Sequence, residues 1–355
     1  MLLKENRTTL SYISSFFVNL AIALLIGSVF LILQGNNPLV IFYDLFIDPF
    51  TKQTGLIKVL GESSPYIFTG LASAIAFRCG IFNIGVEGQL YIGGLAATLI
   101  GCYVHGLPTF ALILLAIVAA MVAGGLWAFL AGWLKVKLKV HEVISTIMLN
   151  YVATNLVSYV IVNFARQPGP SAQTPNVADS ARLSQLFPPE HLNTGLFIGI
   201  AVVAIMFILF KYLPLGWKID SSGLNMQATK YSGIDSKKVI LLTMFLSGAI
   251  AALCGVERTL GAYGYMQVGF SPGYGFDGIT VAIIAYNNPI AVLFISILFG
   301  LFNTGGVNLN MLTNVPVQWV SMLTAIMLVL VAAQSGIFTK IIELLRKPMK
   351  RRANQ

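Results

Sequence analysis

From residue 111 to residue 134 the chain carries no charged side chain, so a helix built on that stretch would be apolar on every face. Such a helix is either sealed inside a large core or laid across a lipid bilayer, whose hydrocarbon takes about 20 residues to span. Repetition decides between the two. Residues 12–33, 194–210, 239–256, 289–307 and 316–333 form further runs of comparable length. A soluble protein can bury one of them, but not this many. Nor could it coat them for water: 10% of the 355 residues are charged and 57% are hydrophobic, against about 25% charged in an ordinary soluble domain. The fold class predicted is all-α, a polytopic transmembrane helical bundle.

A net charge of +9 could suggest a nucleic-acid partner, but its distribution argues for a bilayer. Basic residues gather at Lys4 and Arg7, at Lys135, Lys137 and Lys139, at Lys211, Lys218, Lys230, Lys237 and Lys238, and at Lys340, Arg346, Lys347, Lys350, Arg351 and Arg352. This is the positive-inside pattern, with attraction to anionic lipid, and no nucleic acid is called for. It puts both termini in the cytoplasm and makes the number of crossings even. About ten crossings fit: 12–33, 57–77, 81–104, 109–134, 143–164, 194–210, 239–260, 278–286, 289–307 and 316–333. Segment 278–286 is only half a span. A short or broken helix lining a protein cavity meets that constraint, because irregular backbone is tolerated only away from lipid.

The expected organisation is one membrane domain, residues 1–340, with an outer loop at 165–193, a cytoplasmic loop at 211–238 and a basic cytoplasmic tail at 341–355. The first run is too long for a signal h-region and no small-residue cleavage site follows it, so it reads as a retained crossing. Cys79, Cys102 and Cys254 lack paired spacing and read as small buried hydrophobes. No phosphate-binding GxxxxGK[ST] occurs, so any ATPase would be another chain. Neither HExxH nor GxSxG is found, and none of His105, His141 and His191 lies deep in a span, which argues against an enzyme.

Polar residues inside membrane spans are costly and therefore informative. The densest group is Phe82-Asn83-Ile84-Gly85-Val86-Glu87-Gly88-Gln89. On a helix Asn83 and Glu87 share a face. They form either a substrate or gating surface, or a polar bracket between helices. A second group, Gly273-Tyr274-Gly275-Phe276-Asp277-Gly278, opens the half-span. One glycine-rich segment with a carboxylate in each half of the chain hints at two repeats flanking a pathway. Asn150 and Asn287 are further pathway candidates, although an Asn in such a helix is more often glue between helices. Glu257-Arg258 reads as a paired charge at the outer end of its helix. In the loop 211–238, Ser221 or Ser222 could N-cap a helix over 224–232, Gly233 suits its C-terminus, and Asp235 or Ser236 could cap the next crossing.

The stretches Pro65-Tyr66-Ile67-Phe68-Thr69-Gly70-Leu71 and Phe77-Arg78-Cys79-Gly80 running into the Phe82–Gln89 motif, together with 142–151 and Gly275-Phe276-Asp277-Gly278-Ile279 followed by Asn287-Asn288-Pro289, resemble the ABC-importer permeases that serve branched-chain amino acids, ribose-type sugars and nucleosides. The "FNIGxEGQ" form resembles the nucleoside-uptake branch. The likeness runs from about residue 56 to residue 333. It implies a nucleoside importer subunit, not an enzyme, in a bacterial plasma membrane, with Phe82, Asn83, Glu87, Gln89, Asn150, Asp277 and Asn287 along the substrate pathway. The same machine for a ribose-like sugar or a branched-chain amino acid is the nearest alternative, and a stand-alone secondary transporter is a more distant one. The resemblance further implies that loop 211–238 docks on an ATPase through Gly223, Asn225, Ala228, Tyr231 and Gly233. Its implied partners are that cytoplasmic ATPase, a second homologous permease chain giving a heterodimer, an extracellular substrate-binding lipoprotein and the lipid bilayer. No cofactor is expected on this chain; ATP and Mg would sit on the ATPase. The family commonly has Arg-Ala-Val where this chain has Asp220-Ser221-Ser222, and Pro where it has Met226, so an arginine contact to the ATPase does not carry over.

Overall fold

The structure is a computed structural model, and it describes residues 2–52, 54–312, 315, 316 and 318–331. The basic tail 341–355, the end of the last apolar run and the side chains of Lys4 and Arg7 lie outside the described residues. Among the described residues there are helices and two isolated bridges, but no strand. Helices α1 (Leu2–Leu33), α2 (Pro38–Phe46) and the single turn α3 (Asp48–Thr51) lead into α4 (Gly55–Arg78), α5 (Val86–Tyr103), α6 (Thr109–Leu138) and α7 (Glu142–Phe164). After a long connection come α8 (Gly195–Tyr212), α9 (Pro214–Leu224), α10 (Met226–Tyr231) and α11 (Ser236–Val256), which continues as a π-helical turn, Glu257–Tyr263. Then follow α12 (Tyr274–Ile284), α13 (Pro289–Leu312) and α14 (Gln318–Val331).

By length and composition α6, α7, α8, α11 with its π turn, and α13 can each cross a membrane. The half-span is a real short helix: α12 has 11 residues, about 16 Å of rise. It ends where Tyr286 and Asn287 take φ of 51° and 57°, which turns the chain into Pro289.

The described residues fall into two compact units. The smaller one comprises the described parts of Met1–Ile47 and Gly305–Gln355. In it Gly27 lies against Leu323, the Phe42 and Trp319 rings are 6.2 Å apart, and Leu45 is fully buried beside Gly305. The larger unit, Asp48–Thr304, holds the site described below.

The packing of the larger unit follows from where the small residues fall. Ala120, Gly124 and Ala128 recur every fourth residue on α6, and Gly248 and Ala252 do so on α11, so each set makes one flat face. Lipid gives helices no hydrophobic reason to pair, and close contact between small residues supplies the attraction instead. A Cβ on Gly248 would meet the Gly124 carbonyl at 2.2 Å, one on Gly93 would meet Ala252 at 2.3 Å, and one on Gly255 would meet the Leu90 carbonyl at 2.3 Å. Helices α5, α6 and α11 therefore touch backbone to backbone. Bulky residues point the other way: Phe110, Leu126, Ile144, Met148, Val152, Phe197 and Ile205 are exposed, an apolar belt far beyond what a water-facing surface carries.

Residues 165–194 are stitched down rather than free. The Thr174 and Val177 amides donate to the Met266 and Gly264 carbonyls, and Leu183 N donates to Leu260 O, at 2.9–3.0 Å. Ala181 and Leu183 join the core formed by α5, α6 and α11. At the other end of α8 the capping differs from the sequence expectation. Pro214 starts α9 early, so the helix runs through Ser221 and Ser222, and Ser222 is buried. The N-cap of the next helix is Asn225, whose Oδ1 accepts from Gln227 N and Ala228 N at 3.0 Å. Gly233, at φ 80°, closes α10: its N–H donates to Lys230 O, and Ile234 N donates to Thr229 O. This is the double bond of a left-handed helix stop. Asp235 caps α11 as the sequence suggests.

Candidate functional site

The Phe82–Gln89 motif begins outside a helix, which corrects the shared face expected of Asn83 and Glu87. Gly80, at φ 73°, ends α4, and Asn83 Oδ1 accepts from Gly85 N at 3.0 Å. This side-chain turn delays helix α5 until Val86. Asn83 and Glu87 consequently serve different neighbours. Asn83 is fully buried. Its Nδ2 donates to Gln89 Oε1 (3.1 Å) and Ser247 Oγ (2.8 Å), while its Oδ1 also accepts from Gln89 Nε2. Ser247 passes the chain on to Ala72 O at 2.6 Å, so α4, α5 and α11 are joined by one side-chain network. Asn150 fixes the same turn from α7: its Oδ1 accepts from Gly88 N (2.8 Å) and its Nδ2 donates to Ile84 O (2.9 Å). Asn83, Gln89 and Asn150 thus have the geometry of the polar bracket, one of the two readings left open by spacing. Asn83→Ala is expected to leave Gly85 N, Gln89 and Ser247 short of partners and cost about 1–3 kcal/mol. The check is the apparent Tm of the purified protein, and an unchanged value would refute the bracket.

Glu87 faces the other way, toward the second glycine-rich segment. Gly275 N donates to Glu87 Oε2 at 2.7 Å, and a Cβ on Gly275 would lie 2.3 Å from Glu87 N. The glycine is what allows the start of α12 to sit on the start of α5. Asp277, one turn further along α12 than Tyr274, is partly exposed and within interaction range of Glu87 and the Tyr66 hydroxyl. The two carboxylates from the two halves of the sequence therefore stand on segments that touch at Glu87 and Gly275. On the far side Gly278 packs on Thr69, and Gly70 packs on Val281, seating α12 against α4. Phe82 is exposed and stacks on Phe77 at 4.6 Å. Asn287 lies in the turn past the other end of α12, beyond about 10 Å of helical rise from Asp277, with its Oδ1 enclosed and without a hydrogen-bond partner. It is not brought to the carboxylate pair.

Glu257 and Arg258 pair at the end of α11, as the sequence suggests; what the sequence does not show is that both are buried, with relative exposures of 1% and 0%. The π turn carries them inward against α4. Pro65 has no N–H, so the Gly61 carbonyl four residues earlier loses its helix partner, and Arg258 Nη2 donates to it at 2.7 Å. Arg258 Nε binds Glu257 Oε2 at 2.6 Å and Nη1 binds Glu62 Oε1 at 3.2 Å. Asn193 Nδ2 donates to Glu257 Oε1 at 2.8 Å while its Oδ1 caps α8 through Gly195 N. Two carboxylates thus share one guanidinium, and Arg258 also lies 5.6 Å from the Tyr274 ring. Tyr274 packs edge-on against Tyr66 at 5.5 Å. A continuous line of acidic and aromatic groups runs from Glu62 past Tyr66 and Tyr274 to Asp277 and Glu87. Sequence reasoning missed Glu62, Asn193 and Ser247, and took Tyr66 and Tyr274 only as members of their motifs. One signal was available: Glu62 interrupts the 57–77 run. Tyr66 and Tyr274 are buried within the line, and Glu62 and Asp277 are the acidic members that keep some exposure and can accept hydrogen bonds from N–H and O–H donors.

Gly223, Asn225, Ala228, Tyr231 and Gly233 are all exposed, together at the end of α8 opposite residues 165–194. Trp217, Leu224 and Tyr231 are exposed by 59%, 88% and 94%, an unusual density of bare apolar surface beside Lys218 and Lys230.

Residues 55–332 match the family described as branched-chain amino acid transport system / permease component. The guanosine ABC transporter permease protein NupP of Bacillus subtilis is 36% identical over 293 residues, covering 80% of this chain and 83% of that one. The nucleoside ABC transporter permease protein NupB of Lactococcus lactis is 32% identical over 87% of this chain and 88% of its own. The glucose ABC transporter permease protein TsgB13 of Haloferax volcanii is 32% identical over 86% and 83%. No solved structure matches.

Proposed function

The chain belongs to the permease-component family of branched-chain amino acid transport systems, and from that premise we propose that it is the membrane subunit of an ATP-driven nucleoside importer. The observation that carries the substrate is likeness, over most of their length, to two permeases named for guanosine and nucleosides. The half-buried acceptors Glu62 and Asp277 support it chemically, because a nucleoside is uncharged and rich in N–H and O–H donors. In this reading both termini and loop 211–238 are cytoplasmic, residues 165–193 face outward, and α12 is the short member of about ten crossings in the plasma membrane. The bare apolar rim of α9 and α10 docks on a separate ATPase chain. A second, homologous permease completes the pathway, and an external binding lipoprotein delivers the substrate. Movement of the ATPase pair then rocks the permeases and alternates access to the pathway.

A sugar importer is the second reading, favoured by the likeness to a glucose permease. Uptake of labelled guanosine and adenosine by cells with and without this gene separates them, with excess uridine, ribose, glucose or leucine as competitors. Loss of nucleoside uptake on deletion, with competition by uridine alone, is the expected result. A defect in sugar or leucine uptake with nucleoside uptake intact would overturn the substrate.

A further inference from the structure

Arg78, at the last residue of α4, joins three elements. Its Nε and Nη2 grip Asp220 Oδ1 and Oδ2 on α9 at 2.6 and 2.5 Å. Its guanidinium carbon lies 3.7 Å from the centre of the Phe210 ring near the end of α8. Beside this fork the two backbones touch. A Cβ on Gly223 would meet Arg78 O at 2.1 Å and Gly80 N at 2.9 Å, and one on Gly80 would meet Gly223 Cα at 3.2 Å. Both side chains keep some exposure, 25% and 31%, so the pair is neither sealed in nor free. A planar two-point fork transmits direction as well as force, which a lysine point charge would not. The chain then needs only the turn at residues 79–85 to reach Glu87, and that turn is itself clamped by Asn83 and Asn150. A displacement of α9 has a stiff route to the carboxylate pair, with no flexible loop in between.

We propose that the Arg78–Asp220 fork is the positioning contact through which movement of the α9–α10 segment is passed to the α4–α5 turn and so to Glu87. The proposal rests on the importer reading above and assigns within it a link between dock and pathway. Asp220 and Arg78 carry opposite charges, so the link is an attraction as well as a fork.

The test uses the full complex of both permeases, ATPase and binding protein in proteoliposomes, with guanosine as probe. Asp220→Asn and Arg78→Gln are expected to lower guanosine moved per ATP hydrolysed by about fivefold or more, the usual size of coupling between sites. The swap Arg78→Glu with Asp220→Arg is expected to recover most of the loss. A wild-type ratio in both single variants overturns the proposal, and so does a swap no better than the singles. If the singles do not assemble, Arg78→Lys decides, since it keeps the charge without the fork: a lowered ratio supports the proposal and an unchanged one overturns it. Failure of the importer reading looks different. The wild-type complex itself would then show no guanosine-stimulated ATP hydrolysis.

Discussion

Arg258→Met is expected to remove nearly all folded protein from the membrane. The substitution keeps the volume but strips the shared cation from Glu257 and Glu62, and it leaves the Gly61 carbonyl, already orphaned by Pro65, without a donor. Breaking a buried ion pair by deleting one partner costs about 3–5 kcal/mol, a large part of the 5–15 kcal/mol, roughly, that holds a typical domain. Abundance in isolated membranes and the apparent Tm of whatever can be purified give the measure. The triple change Glu62→Gln, Glu257→Gln and Arg258→Met removes both stranded charges and should regain much of the loss. Normal abundance and Tm in Arg258→Met would mean that the network is ornamental.

Gly275→Val is expected to abolish uptake while leaving a detectable membrane protein. The new Cβ would sit 2.3 Å from Glu87 N and 2.5 Å from Glu87 Cα. Both are backbone atoms, so no side chain can swing aside, and α12 must back away from α5. Overpacking of this kind costs about 1–3 kcal/mol, which the rest of the bundle can absorb. What it cannot restore is the Gly275–Glu87 bond that brings the two carboxylate-bearing segments together. Gly275→Ala should show the same defect less fully. Uptake near wild type in the valine variant would separate Glu87 from any part in transport.

The sequence shows the crossings well where lipid writes them. Helices α6 and α8 face the bilayer along one side, so their whole length must be apolar and the run is unmistakable. The short α12 was legible for a related reason, because its glycines and the Asn287-Asn288-Pro289 stop bracket a run too short to span. Helix α4 is wrapped by neighbours and can carry Ser63, Ser64 and Ser73 inside and Glu62 half-buried. The span 57–77 therefore looked ordinary and its glutamate passed unmarked. The burial of Arg258 escapes the sequence because a π turn shifts the facing of the residues it carries, and no local pattern announces that shift. The Asn83–Glu87 spacing misled for a similar reason: a side chain capping its own backbone holds the helix start back to Val86. Gly275 and Glu87 were each visible as oddities, but their contact joins residues 188 apart in the chain, beyond the reach of any periodicity.

The backbone contacts among α5, α6 and α11 carry a mechanical meaning. Side chains between two helices act as a lubricating layer, trading rotamers as the helices slide. Where Gly93 meets Ala252, Gly124 meets Gly248 and Gly94 meets Gly255, that layer is missing and three helices are geared together. They form a stator. Whatever turns during a cycle must turn against this block.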